Sequence, residues 1–304
     1  VSNQDYASWI GRSRSMTDVI LPAQAVKLAA TLDCAPPSLA TGDPLPPGWH
    51  WCYFHEVTPL SGIGRDGHQA LGEFLPPVDL PRRMWAAGDI EITQPLSLGE
   101  TVEKVSTIEA VDEKQGRTGK LVFVRVSHRL TGSNGADMRE VHQIVYREAP
   151  AADAPAPPPQ MPPHEAEWSR GMTAGPVQLF RYSALTFNSH RIHYDVDFCR
   201  NEEGYDGLII HGPLTATMLM EVARELEPAR ALKAFSFRAV SPLTHVHPFS
   251  LHARHTEDGM ALWACNHRGE LAMTANAGIR RNQHFQCGRT AWRCGPATIA
   301  VNWQ

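Results

Sequence analysis

No stretch of this 304-residue chain approaches the roughly 18 to 20 consecutive apolar residues that a helix needs to cross a bilayer. The opening run VSNQDYASWIGRSRSMTD has no apolar core of the kind a secretory signal carries. Both absences lead us to expect a cytoplasmic protein with no membrane segment. Charge of one sign is also scarce: 28 Lys and Arg stand against 32 Asp and Glu, for a formal charge of −4, which is no footprint for nucleic acid or an anionic membrane surface. The six cysteines (Cys34, Cys52, Cys199, Cys265, Cys287 and Cys294) lie far apart without a CxxC pair. That spacing suggests neither a disulfide framework nor a zinc ribbon, and free thiols are expected. A glycine-rich phosphate loop of P-loop or dinucleotide type is missing, so NAD, FAD and ATP are not expected.

What is present is an ordinary globular composition, 42% hydrophobic and 20% charged, in a chain long enough for two domains. Composition breaks once, at EAPAADAPAPPPQMPP (148 to 163), where proline removes backbone donors and favours extended chain. This predicts an N-terminal domain over 1–147, a Pro/Ala-rich linker over 148–166 and a C-terminal domain over 167–304. In the first half, LPAQAVKLAATLD (21 to 33) reads as a helix bearing Val26, Leu28 and Leu32, and WHWCYF, DIEITQPL, TVEKVSTIEAV, KLVFVRVSHRL and REVHQIVYRE read as strands. The second half repeats the theme. An apolar strand ending in LTF precedes GPLTATMLMEVARELE (212 to 227), a helix with Pro213 at its first turn and Leu214, Met218, Leu219, Val222 and Leu226 at helical spacing. AFSFRAV, FSLHARHT, ALWACN and ELAMTANAGI follow as strands.

Each half is thus a helix plus about five antiparallel strands. A curved sheet wrapped around a helix buries the helix's apolar stripe, and two such sheets side by side would pair their edges. The expected fold class is α+β, a double hotdog with two antiparallel sheets, each wrapping a long central helix.

Chemistry concentrates in LTFNSHRIHYDVDF (185 to 198), where the spacing from His190 is H-x-x-H-x-D. Imidazoles and a carboxylate suit a metal, but no HExxH or distant third ligand supports that reading, and no metal is expected. Asp195 and Asp197 read as helix-start acids. The histidines gain weight from GYDGLIIHGPLTATML (204 to 219), which brings His211 and Gly212 to the start of the long helix. Unpaired N–H groups there can hold a thioester oxygen as it becomes enolate-like, and glycine lets a ligand approach the backbone.

Taken together, Phe187 to Gly212 resembles the hydratase-2 motif of the MaoC-like dehydratases, a hotdog superfamily that interconverts enoyl and 3-hydroxyacyl thioesters. The family pattern is D-x-N-P-[IL]-H-x-[DE] followed by a glycine-rich loop and an H-G at the hotdog helix. Ile192, His193 and Asp195 match it, as does GLIIHG, whereas the pattern's Asp, Asn and Pro fall on Asn188, His190 and Arg191. PPGWHWCYF, DGHQALGEFLPPVDLPRRMWAAGDIEI and GRTGKLVFVRVSH resemble the N-terminal dehydratase-like domain of the branch that holds the mesaconyl-C4-CoA and itaconyl-CoA hydratases. The segment 281–304 matches nothing named.

The resemblance implies an enoyl-CoA hydratase/3-hydroxyacyl-CoA dehydratase, a hydro-lyase forming citramalyl-CoA from a carboxylated short branched enoyl-CoA such as mesaconyl-C4-CoA or itaconyl-CoA. A hotdog thioesterase or a non-catalytic acyl-CoA binder is the alternative. His193 is expected as general base or acid, Asn188 as the residue that orients water, and His190 as a second proton carrier. Gly212 would supply the oxyanion N–H, with His211 bracing the loop. Arg191, Arg82, Arg83 and the neighbouring Trp85 are candidates for binding the substrate carboxylate or CoA. No cofactor is needed, CoA being part of the substrate, and family habit implies a homodimer.

Overall fold

The computed structural model describes residues 6–36, 38–116, 119–149 and 158–281. Cys287, Cys294, the centre of the proline-rich segment and nearly all of 281–304 lie outside the described residues.

The strands are β1 (Ser13–Val19), β2 (Arg82–Gln94), β3 (Thr101–Gly116), β4 (Gly119–Gly132), β5 (Asp137–Arg147), β6 (Trp168–Met172), β7 (Arg230–Ala239), β8 (Phe249–Thr256), β9 (Gly259–Cys265) and β10 (Leu271–Arg281). The helices are α1 (Pro22–Leu32), α2 (Pro176–Leu185), α3 (Val196–Phe198) and α4 (Gly212–Leu226). The strands form one ten-stranded sheet in the order β1-β3-β4-β5-β2-β7-β10-β9-β8-β6, antiparallel at every pairing. The first five strands come from the first half and the last five from the second. They meet at β2 and β7, where Gly88 pairs with Phe237 and Ile90 with Phe235. A Cβ on Gly88 would collide with the Phe237 ring, so glycine lets that ring lie over the seam. The two expected sheets are therefore one continuous sheet.

The helices differ from each other more than expected. Along α4 every residue from Leu214 to Ala223 is buried, so this helix is enclosed on all sides. Burying side chains such as Leu214, Leu219 and Val222 contributes roughly 1.5–3 kcal/mol each. α1 buries only Ala25, Leu28, Ala29 and Thr31, and Val26, expected in its apolar stripe, is exposed. It is a half-buried helix beside α2 rather than a second enclosed one. Two further segments depart from the sequence reading. The strand expected before the histidines is α2, started by Pro176 as its first residue, and WHWCYF contains a 3-10 turn over Trp49–Cys52.

One polar layer interrupts the first-half core. Glu140, 1% exposed, accepts hydrogen bonds from Trp51 Nε1 (2.6 Å) and is paired with His142 Nε2 (2.7 Å) and His50 Nε2 (3.1 Å). Burial alone would raise its pKa, yet His142 and His50 hold the carboxyl well below the usual range. Among the described residues, Cys34, Cys52, Cys199 and Cys265 are all buried, Cys52, Cys199 and Cys265 as free thiols, and no helix is long and apolar enough to cross a membrane.

Candidate active site

The motif is delivered by a strained turn. After α2, Phe187 takes φ 50°, a left-handed conformation that bulky residues rarely adopt. The Asn188 side-chain Oδ1 then accepts from the His190 backbone N–H (3.0 Å) and starts the 3-10 turn Arg191–His193. Asp195 Oδ1 accepts from Phe198 N (2.9 Å), which caps α3 and matches its expected helix-start role.

Two reciprocal bonds fix His193 against the chain entering α4. Ile209 N–H donates to the Ile192 carbonyl (2.9 Å), and His193 Nδ1 bonds the Ile209 carbonyl (2.8 Å). Since a carbonyl only accepts, Nδ1 carries the hydrogen and Nε2 is left as the nitrogen for proton transfer. His193 is 7% exposed, and burial pushes its pKa down to about 4 despite the favourable carbonyl bond. Its ring stacks on His211 at 3.6 Å and 17°. His211 Nε2 is hydrogen-bonded to Ser183 Oγ (2.8 Å), so the ring is held between α2 and His193.

His211 is also the residue before α4, and Gly212 is that helix's first residue. The N–H groups of a first turn have no partner within the helix. A Cβ placed on Gly212 would meet nothing within 4 Å, so the space beside this backbone is open.

A third element reaches the motif from the first half. Arg191 N–H donates to the Asp66 carbonyl (2.8 Å), and Ser189 Oγ donates to the Gly67 carbonyl (2.6 Å). Gly67 has φ +88°, and a Cβ there would strike the Ser189 carbonyl oxygen. The contact places His68 with its ring 3.8 Å from that of His190, which is in turn 5.6 Å from His193. Asp66 Oδ2 binds His68 Nδ1 at 2.7 Å. Asp66, His68 and His190 each bring one potential metal ligand within 4.8 Å of the others. Asp66 and His68 are already hydrogen-bonded to each other, so we read a hydrogen-bonded dyad beside His190. Burial lowers the His190 pKa, as do the nearby His68 and His193, with Asp66 opposing and Arg83 adding to the effect.

The three candidate arginines separate clearly. Arg191 donates to Asp195 Oδ2 (2.7 Å) and to the Arg65 carbonyl (3.2 Å), and it lies over the Phe198 ring. Arg82 pairs with Glu203 (3.3 Å) and donates to the Glu203 carbonyl (2.9 Å). Arg83, by contrast, has no carboxylate partner among the described residues, and its charge acts on His68, His190 and Tyr146. Trp85 packs at the seam against Trp51 (5.1 Å), Phe237 (5.5 Å) and His142 (3.8 Å), and its Nε1 donates to the Ala87 carbonyl. A separate cleft lined by Leu32, Arg170, Met172, Met218 and Val222 contains none of the expected site residues.

The structure thus brings His190, His193, His211 and Gly212 together and adds Asp66, His68 and Ser183, which sequence reasoning missed. The available signal was DGH inside a stretch already similar to a dehydratase branch.

Residues 48–245 match the family described as hydroxyacyl-thioester dehydratase type 2. The chain is 44% identical over 278 residues to the mesaconyl-C(4)-CoA hydratase of Chloroflexus aurantiacus, covering 90% of this chain and 98% of that enzyme. It is 29% identical to the mitochondrial hydroxyacyl-thioester dehydratase type 2 of Schizosaccharomyces pombe, covering 75% of this chain and 85% of the other. Among solved structures, a MaoC-like dehydratase from Phytophthora capsici superposes with a TM-score of 0.65 at 14% identity, covering 93% of this chain and all of that one. That likeness shows the α+β hotdog fold.

Proposed function

Because this chain belongs to the hydroxyacyl-thioester dehydratase type 2 family, of MaoC-like hotdog fold, we propose that it hydrates a carboxylated enoyl-CoA, mesaconyl-C4-CoA or itaconyl-CoA, to citramalyl-CoA. Its general class is a CoA-thioester hydratase/dehydratase. The ten-stranded sheet then corresponds to two hotdog halves, 1–147 and 167–304, joined through 148–166.

The observation that carries the substrate class is Arg83. In mesaconyl-C4-CoA the free carboxylate sits on Cβ, the carbon that water attacks. Its cation must therefore stand beside the proton carriers. Arg83 is the candidate arginine without a carboxylate partner among the described residues, and it acts on His68 and His190. A guanidinium suits bidentate capture of that group. Arg82 and Arg191 have acidic partners of their own and support the loops around the site.

In the hydration of mesaconyl-C4-CoA, whose double bond is conjugated with the thioester, the water oxygen bonds to Cβ while its proton goes to His193 Nε2. The π pair moves into the thioester as an enolate, whose oxygen is held by the Gly212 N–H. The same proton is then returned to Cα, with His190 as the second carrier, and the histidine pair starts and ends the cycle neutral. The Asn188 amide nitrogen, free of the bond its oxygen makes to His190 N–H, orients the water. His211 braces His193. The thioester itself supplies the activation, so no cofactor enters.

The test is incubation with mesaconyl-C4-CoA, itaconyl-CoA and crotonyl-CoA separately, following enoyl absorbance and thiol release together. Selective loss of enoyl absorbance on a carboxylated substrate without thiol is expected. Thiol release would identify a thioesterase, and silence on all three would overturn the reading.

A further inference from the structure

We propose that Asp66, with His68 as its spacer, is the counter-charge for the proton carried by the His190–His193 pair, so that the first half supplies the carboxylate missing at position 188. The inference rests on the hydratase reading above.

A proton taken from water onto two buried imidazoles creates a cation where burial disfavours one. The family pattern places an aspartate in the motif itself, but here Asn188 is neutral and spends its oxygen on the His190 turn. Asp195 is occupied by Arg191 and by the Phe198 N–H. Among the described residues, the groups with the largest charge effect on His190 are His68, His193, Asp66 and Arg83, and Asp66 is the anion among these four.

Its placement is specified by several bonds. Asp66 Oδ1 accepts from His68 N–H (3.0 Å) and Oδ2 from His68 Nδ1 (2.7 Å), which sets the His68 tautomer and the angle of its ring on His190. Gly67 lies between them and allows the contact with Ser189 that no side chain at 67 would permit. Burial would raise the Asp66 carboxyl, but the His68 hydrogen bond and charge hold it well below the ordinary carboxylate range, so it is an anion throughout the working pH range. Asp66 and His68 are positioning residues on this account. The group that handles the proton is His190 with His193.

Asp66→Asn in the full chain removes the charge and keeps an oxygen for the His68 N–H. With mesaconyl-C4-CoA, we expect kcat to fall about tenfold or more and KM to change less than about threefold. His68→Asn should give a comparable loss, and the double variant should be no worse than the poorer single one, as for groups acting as a unit. A folded Asp66→Asn with kcat within about twofold of the parent would overturn the proposal. So would additive losses in the double variant. If Asp66→Asn fails to fold, His68→Asn decides by the same kcat criterion. Failure of the hydratase reading is seen separately, as parent protein that turns over none of the three thioesters.

Discussion

The imidazole of His211 lies 3.6 Å from that of His193 and within 17° of parallel, and Ser183 holds its far edge. With Nδ1 bound to the Ile209 carbonyl, His193 is fixed in both tilt and tautomer. This leaves one nitrogen for chemistry, the arrangement expected of a general base. His193→Ala should therefore lower kcat by about two orders of magnitude or more while the protein stays folded, as judged by circular dichroism. Near-parental turnover in a folded variant would remove His193 from the mechanism.

Arg83 gives a test of substrate choice. Arg83→Gln should raise KM for mesaconyl-C4-CoA by about tenfold or more, the loss of a charge-assisted bidentate pair, and leave crotonyl-CoA kinetics near the parent's. Arg82→Gln and Arg191→Gln, which break ion pairs to Glu203 and Asp195, should change the two substrates alike. An equal effect of Arg83→Gln on both thioesters would mean that it does not meet the carboxylate.

Gly212 separates stability from catalysis. Nothing in the protein stands within 4 Å of a Cβ built there, and its φ is not one that excludes other residues, so Gly212→Ala should melt within a few degrees of the parent. The added methyl would nevertheless occupy the approach to the N–H that holds the enolate oxygen. A loss of kcat of about 10²-fold is expected from typical oxyanion-donor deletions. Full activity would show that the thioester oxygen is held elsewhere.

Much of this site was legible because its signals are local. Gly212-Pro213 before an apolar helical period marks α4, and His190, His193 and Asp195 share one short turn. The antiparallel strands of the first half were readable from β-branched alternation, as in β4 and β5. Asp66 and His68 were not legible, because their partners lie more than a hundred residues away: Ser189 Oγ reaches Gly67 across 122 positions. α2 was misread as a strand because a short apolar run has no decisive period. Its Leu179, Tyr182 and Leu185 are buried at three-residue intervals, which only packing reveals as a helix face. The arginines could not be ranked from sequence either, since what distinguishes Arg83 is that no carboxylate among the described residues pairs with it in space.

The buried histidines make a sign-definite prediction about acid. His193 falls from 6.5 to about 4 on folding because burial disfavours its charge, and His128 and His211 fall well below 6.5 for the same leading reason. Between those values the unfolded chain binds more protons than the folded one, so stability is complete above about pH 6.5 and is lost as pH falls toward 4. His193 alone corresponds to about 3 kcal/mol over that interval. Carboxylates whose folded pKa is depressed, Asp66 and Glu140 among them, lose their contribution only as pH falls below the ordinary carboxylate range. The interval from pH 6.5 to about 4 therefore reports mainly the histidines. Calorimetry should show Tm falling steadily from pH 7 to pH 4.5, and His193→Gln should flatten that slope. A Tm that is level or rising over the same interval would mean that these rings are protonated, and hydrated, in the folded protein.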